Sequence, residues 1–338
     1  MKSLFYPEWN RLEVCDRPLP KIADDEVQLR VAACGICGSE LEAFKHRSPR
    51  RTPPLIMGHE FCGAIIEVGN AAREFQVGQK VISHSVANCG ACRACRRGNT
   101  HLCEERQIFG MHRPGAFAEY LNVPAKCLIP WPEHLPAQAA CLAEPLANGV
   151  HVANLVKDRK PETVCILGAG PIGLMCQQAV QVLLRATTIV SDLIPERLEA
   201  ARSLGARTIV PAQHEKAVEA VREMTAHEGV DVVIDAAGAA ATKRRALELV
   251  RPGGAVVWIG LHENTVTLDS YQVTLPEITI HGSYAASMDE LQLAVSLLAS
   301  GQVKVESWLQ CFSLSDGVAA FHRMLAAIGA DIKAVLLP

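Results

Sequence analysis

Four of the thirteen cysteines in this 338-residue chain fall within fifteen positions, as Cys89, Cys92, Cys95 and Cys103. The spacing is C-x2-C-x2-C-x7-C. Four thiolates at such density suit a closed tetrahedral zinc site, which would stabilise a loop with almost no apolar content of its own. A four-iron cluster is the rival, but its familiar run places the fourth cysteine three residues on and before proline. Here the gap is seven and no proline follows. Zinc is therefore expected, in a structural role, because no coordination position is left for a substrate.

A second chemistry lies in Gly168-Ala169-Gly170-Pro171-Ile172-Gly173, which follows an apolar run and opens a helical pattern, with Asp192 nineteen residues beyond Gly173. In a strand-turn-helix context this is a dinucleotide-binding signature. Gly168 permits the tight turn, Gly170 admits a pyrophosphate to the backbone, and Gly173 lets the helix pack on the strand. Free N–H groups at the helix start, around Pro171 and Ile172, then face phosphate oxygens. Asp192 would accept from a ribose 2′-hydroxyl and repel a 2′-phosphate, so NAD is expected over NADP. Arg197 leaves that preference open and otherwise caps the helix or faces solvent. Backbone near Ala237, Gly238 and Gly260 is expected to flank the cofactor, and Asp231 to start or cap its strand.

Three further segments carry metal-ligand types: Cys34-Gly35-Ile36-Cys37-Gly38-Ser39-Glu40, Gly58-His59-Glu60 and Ala143-Glu144-Pro145. Cysteine, histidine and carboxylate far apart in sequence fit a catalytic zinc with an open position. A lone His-Glu pair is also common on surfaces, so these residue types by themselves leave the matter open. The basic run Lys45-His46-Arg47-Ser48-Pro49-Arg50-Arg51 has two readings, a rim that binds phosphate and a solvated loop.

Positioning these groups requires two kinds of domain. Short β-like runs bounded by Gly and Pro, such as Glu26–Val31, Gly63–Val68 and Lys80–Ile82, predict an irregular, strand-rich first part. From Glu162 onward short apolar strands alternate with helices. Strands are expected at Val164–Leu167, Thr188–Ser191, Thr208–Val210, Asp231–Ile234, Ala255–Ile259 (after a turn at Arg251–Gly254) and Ile278–His281. Helices are expected at Pro171–Leu184, Pro195–Leu204, Glu215–Ala226, Thr242–Leu249 and Asp289–Ala299. Such alternation builds a parallel, doubly wound sheet, so the fold class is α/β. A last strand, Lys333–Leu337, is not placed by periodicity.

Composition excludes several classes. At 49% hydrophobic and 20% charged residues, the chain has material for packed cores and is not a disordered or collagenous sequence. No run of about 18 uncharged apolar residues spans a membrane. A net charge of −3 favours neither nucleic acid nor anionic lipid. The start, Met1 to Glu8, lacks the apolar run of an export signal, and cysteine density without one is expected of metal binding in the cytoplasm.

Taken in order, Gly35-Ile36-Cys37-Gly38-Ser39, Gly58-His59-Glu60, the four-cysteine lobe, Gly115-Ala116-Phe117-Ala118-Glu119-Tyr120, Glu144-Pro145 and the dinucleotide core resemble the zinc-dependent medium-chain dehydrogenase/reductase (alcohol dehydrogenase) family. The likeness covers essentially the whole chain and is greatest to the polyol branch, which includes sorbitol, threonine and galactitol-1-phosphate dehydrogenases.

The resemblance implies a GroES-like, β-rich catalytic domain from both chain ends (1–149 and 286–338) and an inserted Rossmann domain (150–285). It implies two zinc ions per chain, one catalytic and one structural. Cys37 and His59 would be catalytic-zinc ligands, with Glu60 and Glu144 as alternating or water-mediated carboxylates. Ser39 would take the substrate's proton, and Lys333 would lie near the cofactor pyrophosphate. The implied activity is reversible, NAD-linked oxidation of a secondary alcohol in a small polyol, with or without a phosphate, by a homodimer or homotetramer. Two departures stand out. Glu40 replaces the usual Asp that orients the ligand histidine, and Glu42 replaces a His that serves as proton outlet. They lend weight to a noncatalytic, NAD-sensing zinc protein of the same fold. A zinc-free reductase and a zinc-ribbon nucleic-acid binder rank lower.

Overall fold

The computed structural model describes residues 1–212, 217–326 and 328–338. The chain forms two compact units, one of Met1–Glu144 with Ser287–Pro338 and the other of Pro145–Ala286.

In the second unit six parallel strands form one sheet, in the order Thr208–Pro211, Thr187–Asp192, Thr163–Leu167, Val230–Asp235, Val250–Trp258, Thr279–Gly282. Val164, Cys165 and Ile166 are each 0% exposed, a continuous apolar run as expected where helices cover both faces of a sheet. Leu167, Ile189, Val233, Val256, Ala246 and Leu249 share its core. The helix Pro171–Leu184 starts with proline at its first position, where the missing N–H costs nothing.

Two expectations change here. The turn expected at Arg251–Gly254 is a bulge inside a longer strand, with pairing that jumps from Val230↔Val250 to Val232↔Ala255. Gly253, at φ +69, supplies the left-handed residue it needs. The helix expected over Glu215–Ala226 is described over Ala217–Met224, with Thr225 and Ala226 in the turn that follows; Glu215 and Lys216 lie outside the described residues.

The first unit is built on the strand Glu26–Gly35, which pairs with Glu60–Val68, Tyr120–Pro124 and Lys333–Leu337 in a seven-stranded sheet. A three-stranded sheet joins Arg11–Asp16, Lys2–Glu8 and Leu55–Ile56. Phe61 and Phe109 stack edge to face at 5.3 Å in the core, and Phe44 and Phe321 at 5.2 Å. The C-terminal strand runs antiparallel to Glu26–Gly35, with Val335 opposite Gly35 and Leu336 opposite Cys34. That register delivers Lys333 to the segment that carries Cys37. Among the described residues, no helix is long and apolar enough to cross a membrane.

Candidate metal centre and cofactor turns

Cys37 is the N-cap of the helix Gly38–Lys45, and His59 directly precedes the strand Glu60–Val68. Neighbouring strands thus bring together residues far apart in sequence. The Cys37 thiol, a His59 ring nitrogen and a Glu60 carboxylate oxygen all lie within 4.8 Å of one another. His59 and Glu60 are buried and Cys37 is half-buried. Ser39 Oγ donates to Cys37 Sγ at 3.3 Å.

Glu40 holds this group from behind. Fully buried, it accepts from His59 Nδ1 and from the Gly58 amide at 2.8 Å each through Oε1, and from the Cys37 amide at 3.0 Å through Oε2. The longer side chain therefore fulfils the orienting role that its departure from the family pattern put in question. With the proton kept on Nδ1, the lone pair belongs to Nε2. Burial alone would raise the Glu40 carboxyl, but His59, Arg51 and the Cys37 amide together hold it below its ordinary value. Burial would likewise lower the His59 imidazole, whereas Glu40 and Cys37 raise it well above the usual range.

Glu60 and Glu144, the two carboxylates expected from the resemblance, have different surroundings. Glu60 pairs with Lys333, both 1% exposed, and the Lys333 ammonium also donates to the Ile36 carbonyl at 2.9 Å. Its pKa is raised: burial opposes the charge, but Glu60 and Cys37 favour it more strongly. So Lys333, linked by resemblance to the cofactor pyrophosphate, sits buried beside Glu60. Gly35 makes room for the pair, since a Cβ there would come 2.2 Å from Glu60 Oε2. Among the described residues Glu144 is not part of the three-residue group. Its carboxyl is raised, by burial first and then by Glu60, while His59 and a hydrogen bond from Ser85 partly offset this.

Glu42, in the family's proton-outlet position, lies 3.3 Å from His46 on the outer face of its helix. In the basic run, Arg51 is 4% exposed and donates to the carbonyls of Ser39 at 3.0 Å and Gly110 at 3.2 Å. Arg51 is therefore a brace beneath the metal segment and not part of an anion rim. Arg47 is taken up by Asn10 at 2.7 Å.

The sulfurs of Cys89, Cys92, Cys95 and Cys103 also lie within 4.8 Å of one another. Backbone amides point at them: Ala91 and Cys92 donate to Cys89 at 3.4 and 3.3 Å, and Cys89 to Cys103 at 3.3 Å. The Cys95 and Glu104 amides help push the Cys92 thiol down to about 6. Amides aimed at sulfur stabilise thiolates, and four thiolates around one centre fit a tetrahedral zinc.

In the other unit the glycine-rich turn takes its expected form. Gly168 has φ +102, and a Cβ on Gly173 would lie 1.8 Å from the Gly168 carbonyl oxygen, so only glycine lets the helix approach the strand. Gly170 is the helix N-cap, followed by Pro171 and Ile172. Asp192 accepts from the Ala169 amide at 2.6 Å and the Ile194 amide at 2.8 Å. Arg197 reaches back toward the turn: its Nη1 would lie 3.9 Å from a Cβ on Gly170, and among the described residues its buried Nε has no hydrogen-bond partner. Ala236 and Ala237 donate to the Leu167 carbonyl at 2.9 and 3.0 Å, and Gly260 donates to that of Asp235 at 2.9 Å. Of the expected cofactor residues, those in this unit (Gly168, Gly170, Gly173, Asp192, Arg197, Ala237 and Gly260) thus lie at the carboxyl edge of the sheet, where ligands bind in such folds, whereas Lys333 does not belong to this unit.

Arg51, Ser85 and Lys243 were missed as supporting residues. Arg51 sits in a basic run whose pattern offers a phosphate rim or a solvated loop, neither of which is a buried brace; nothing in the sequence pairs Ser85 with Glu144. Lys243 falls in an ordinary polar helix pattern.

A GroES-like β domain with a Cys/His/Glu centre, together with a doubly wound dinucleotide-type sheet, defines a dehydrogenase that acts on alcohols. Comparison with known proteins agrees. Residues 23–133 match the alcohol dehydrogenase GroES-like domain, and residues 171–300 match the zinc-binding dehydrogenase domain. An L-threonine 3-dehydrogenase of Chelativorans sp. is 34% identical over 291 residues, 85% of this chain and 84% of that protein. A sorbitol dehydrogenase of Bacillus subtilis is 32% identical over 344 residues, 100% of this chain and 97% of that one. A protein of Escherichia coli CFT073, described as a short chain alcohol dehydrogenase and solved with NADH, superposes with a TM-score of 0.93 at 28% identity, covering 100% of this chain and 99% of its own. The chain belongs to the zinc-binding, medium-chain alcohol dehydrogenase family.

Proposed function

We propose that this enzyme oxidises a secondary hydroxyl of a small polyol-like alcohol to the ketone, reversibly and with NAD. The observation that carries the reading is the convergence of Cys37, His59 and Glu60 within 4.8 Å, backed by Glu40 on His59. A mixed thiolate, imidazole and carboxylate set fits zinc and leaves a position open for substrate. When bound, zinc would supply Lewis acidity to the alcohol oxygen and the nicotinamide would accept hydride.

The remaining work falls to the chain. Ser39 would receive the alcohol's proton, a role supported by its hydroxyl lying beside Cys37. Glu40 keeps the His59 ring in one tautomer and one orientation, so that donor geometry does not need to reorganise. Lys333 balances the charge of Glu60, and Glu144 supplies a second carboxyl with a raised pKa close to His59 and Glu60. The four-cysteine lobe would hold a second, structural zinc. In the other unit the Gly168–Gly173 turn would bind the pyrophosphate, with Asp192 on the adenosine ribose. Resemblance to the family supports a homodimer or homotetramer in the cytoplasm. Of the two departures behind the sensor alternative, Glu40 reaches His59, which favours the enzyme, while Glu42 remains.

The test is NAD reduction with sugar alcohols, sugar-alcohol phosphates and amino alcohols, with and without chelator, for the wild type and for Cys37→Ser and Glu144→Ala. Chelator-sensitive turnover of at least one secondary alcohol, lost in Cys37→Ser, supports the reading. Turnover indifferent to both variants overturns it.

A further inference from the structure

The helix Ala240–Leu249 carries a lysine that faces inward at the cofactor edge. Lys243 is 7% exposed, and its ammonium donates to the Gly238 carbonyl at 2.7 Å and lies 3.4 Å from Asp235 Oδ2. It also sits 5.9 Å from the centroid of the Trp258 ring. Asp235 is 0% exposed, and among the described residues its Oδ2 has no hydrogen-bond partner besides this ion pair. Leaving a lysine and a carboxylate buried is costly unless each neutralises the other.

Asp235 is the hub of this edge. Its Oδ1 accepts the Gly238 amide at 2.8 Å, and its backbone carbonyl accepts the amides of Ile259 at 3.1 Å and Gly260 at 2.9 Å. One residue thus ties the turn after its own strand to the turn after the neighbouring strand. The Gly238 carbonyl in turn takes both Lys243 and the Glu263 amide, the latter at 2.9 Å. The backbone of these two turns is where the dinucleotide is expected. An unpaired carboxylate beneath them would act on an anionic ligand through a medium of low dielectric.

We propose that Lys243 is a positioning residue for the dinucleotide: by neutralising Asp235, it keeps the 237–238 and 260 turns able to accept an anionic cofactor. The inference rests on the dinucleotide reading of this unit.

The test is titration of the metal-loaded enzyme with NADH, followed by nicotinamide fluorescence, with folding checked by circular dichroism. Lys243→Met is expected to raise the NADH dissociation constant more than threefold. The double variant Asp235→Asn/Lys243→Met, which removes both charges, is expected to return to within threefold of wild type. A Lys243→Met protein that binds NADH within threefold of wild type overturns the proposal, as does a folded double variant that fails to recover. If Lys243→Met does not fold, the double variant alone decides by the same threshold. A wild type that binds neither NADH nor NADPH contradicts the dinucleotide reading itself, which keeps the two failures apart.

Discussion

Glu40 Oε1 stands 2.8 Å from His59 Nδ1 and takes the Gly58 amide at the same distance, so one carboxylate oxygen fixes both the ring and the backbone that carries it. Glu40→Gln keeps the shape and removes the charge. It should weaken zinc retention at this centre by about 10- to 100-fold, the usual cost of losing such a partner. Competition with a chelator measures this, and unchanged retention would show that Glu40 is only packing. Glu40→Asp should also lose affinity, since the shorter side chain cannot span His59, Gly58 and Cys37 together.

Arg51 gives a contrast with its neighbour. Arg51→Met leaves the buried Gly110 carbonyl, the part-buried Ser39 carbonyl and Glu40 without their cation, and should destabilise the first unit by about 3 kcal/mol. Arg50→Ala, at an exposed position, should change stability by no more than about 0.5 kcal/mol. Thermal unfolding of both variants checks the pair. Equal midpoints would contradict the bracing role.

Gly173→Ala places a methyl 1.8 Å from the Gly168 carbonyl oxygen, against backbone that cannot yield cheaply. The turn must open, and NADH affinity should fall at least tenfold while the metal content of the other unit stays intact. A variant that binds NADH normally would mean that this turn does not touch the cofactor.

Asp231 supplies a pH-dependent contribution. Burial raises its carboxyl, but Arg251, Thr163 and the Glu162 amide outweigh burial and hold it below the ordinary value. A depressed folded-state pKa gives stability that is fully present above the unfolded value of about 3.9, and that is lost as pH falls through the folded value. The gap in unfolding midpoint between wild type and Asp231→Asn should therefore be constant from about pH 8 to 5 and shrink below about pH 4. A gap that widens in acid would reverse the assignment.

Much of the nucleotide-type unit was legible because parallel strands buried on both faces leave uninterrupted apolar runs, as at Val164–Leu167, each followed by glycine or a helix start. The bulge at Arg251–Gly254 was not legible, since a Pro-Gly-Gly sequence reads as a turn whether or not its flanks stay paired. In the metal-bearing unit the ligand types could be picked out, but their convergence depends on the register of strands distant in sequence. Lys333 shows the limit: its pairing with Glu60 follows from where the last strand docks, which no local pattern specifies. Glu40 shows another. Its type departs from the family, yet the backbone of Cys37 and Gly58 accommodates the added length.

Zinc analysis of the purified protein alongside Cys37→Ser, each assayed for NAD-linked alcohol oxidation, bears most directly on the metal centre. The expected result is two zinc ions per wild-type chain, one for each donor group, and a single ion with no turnover in the variant. A Cys37→Ser protein that keeps both ions and its full rate would contradict the account.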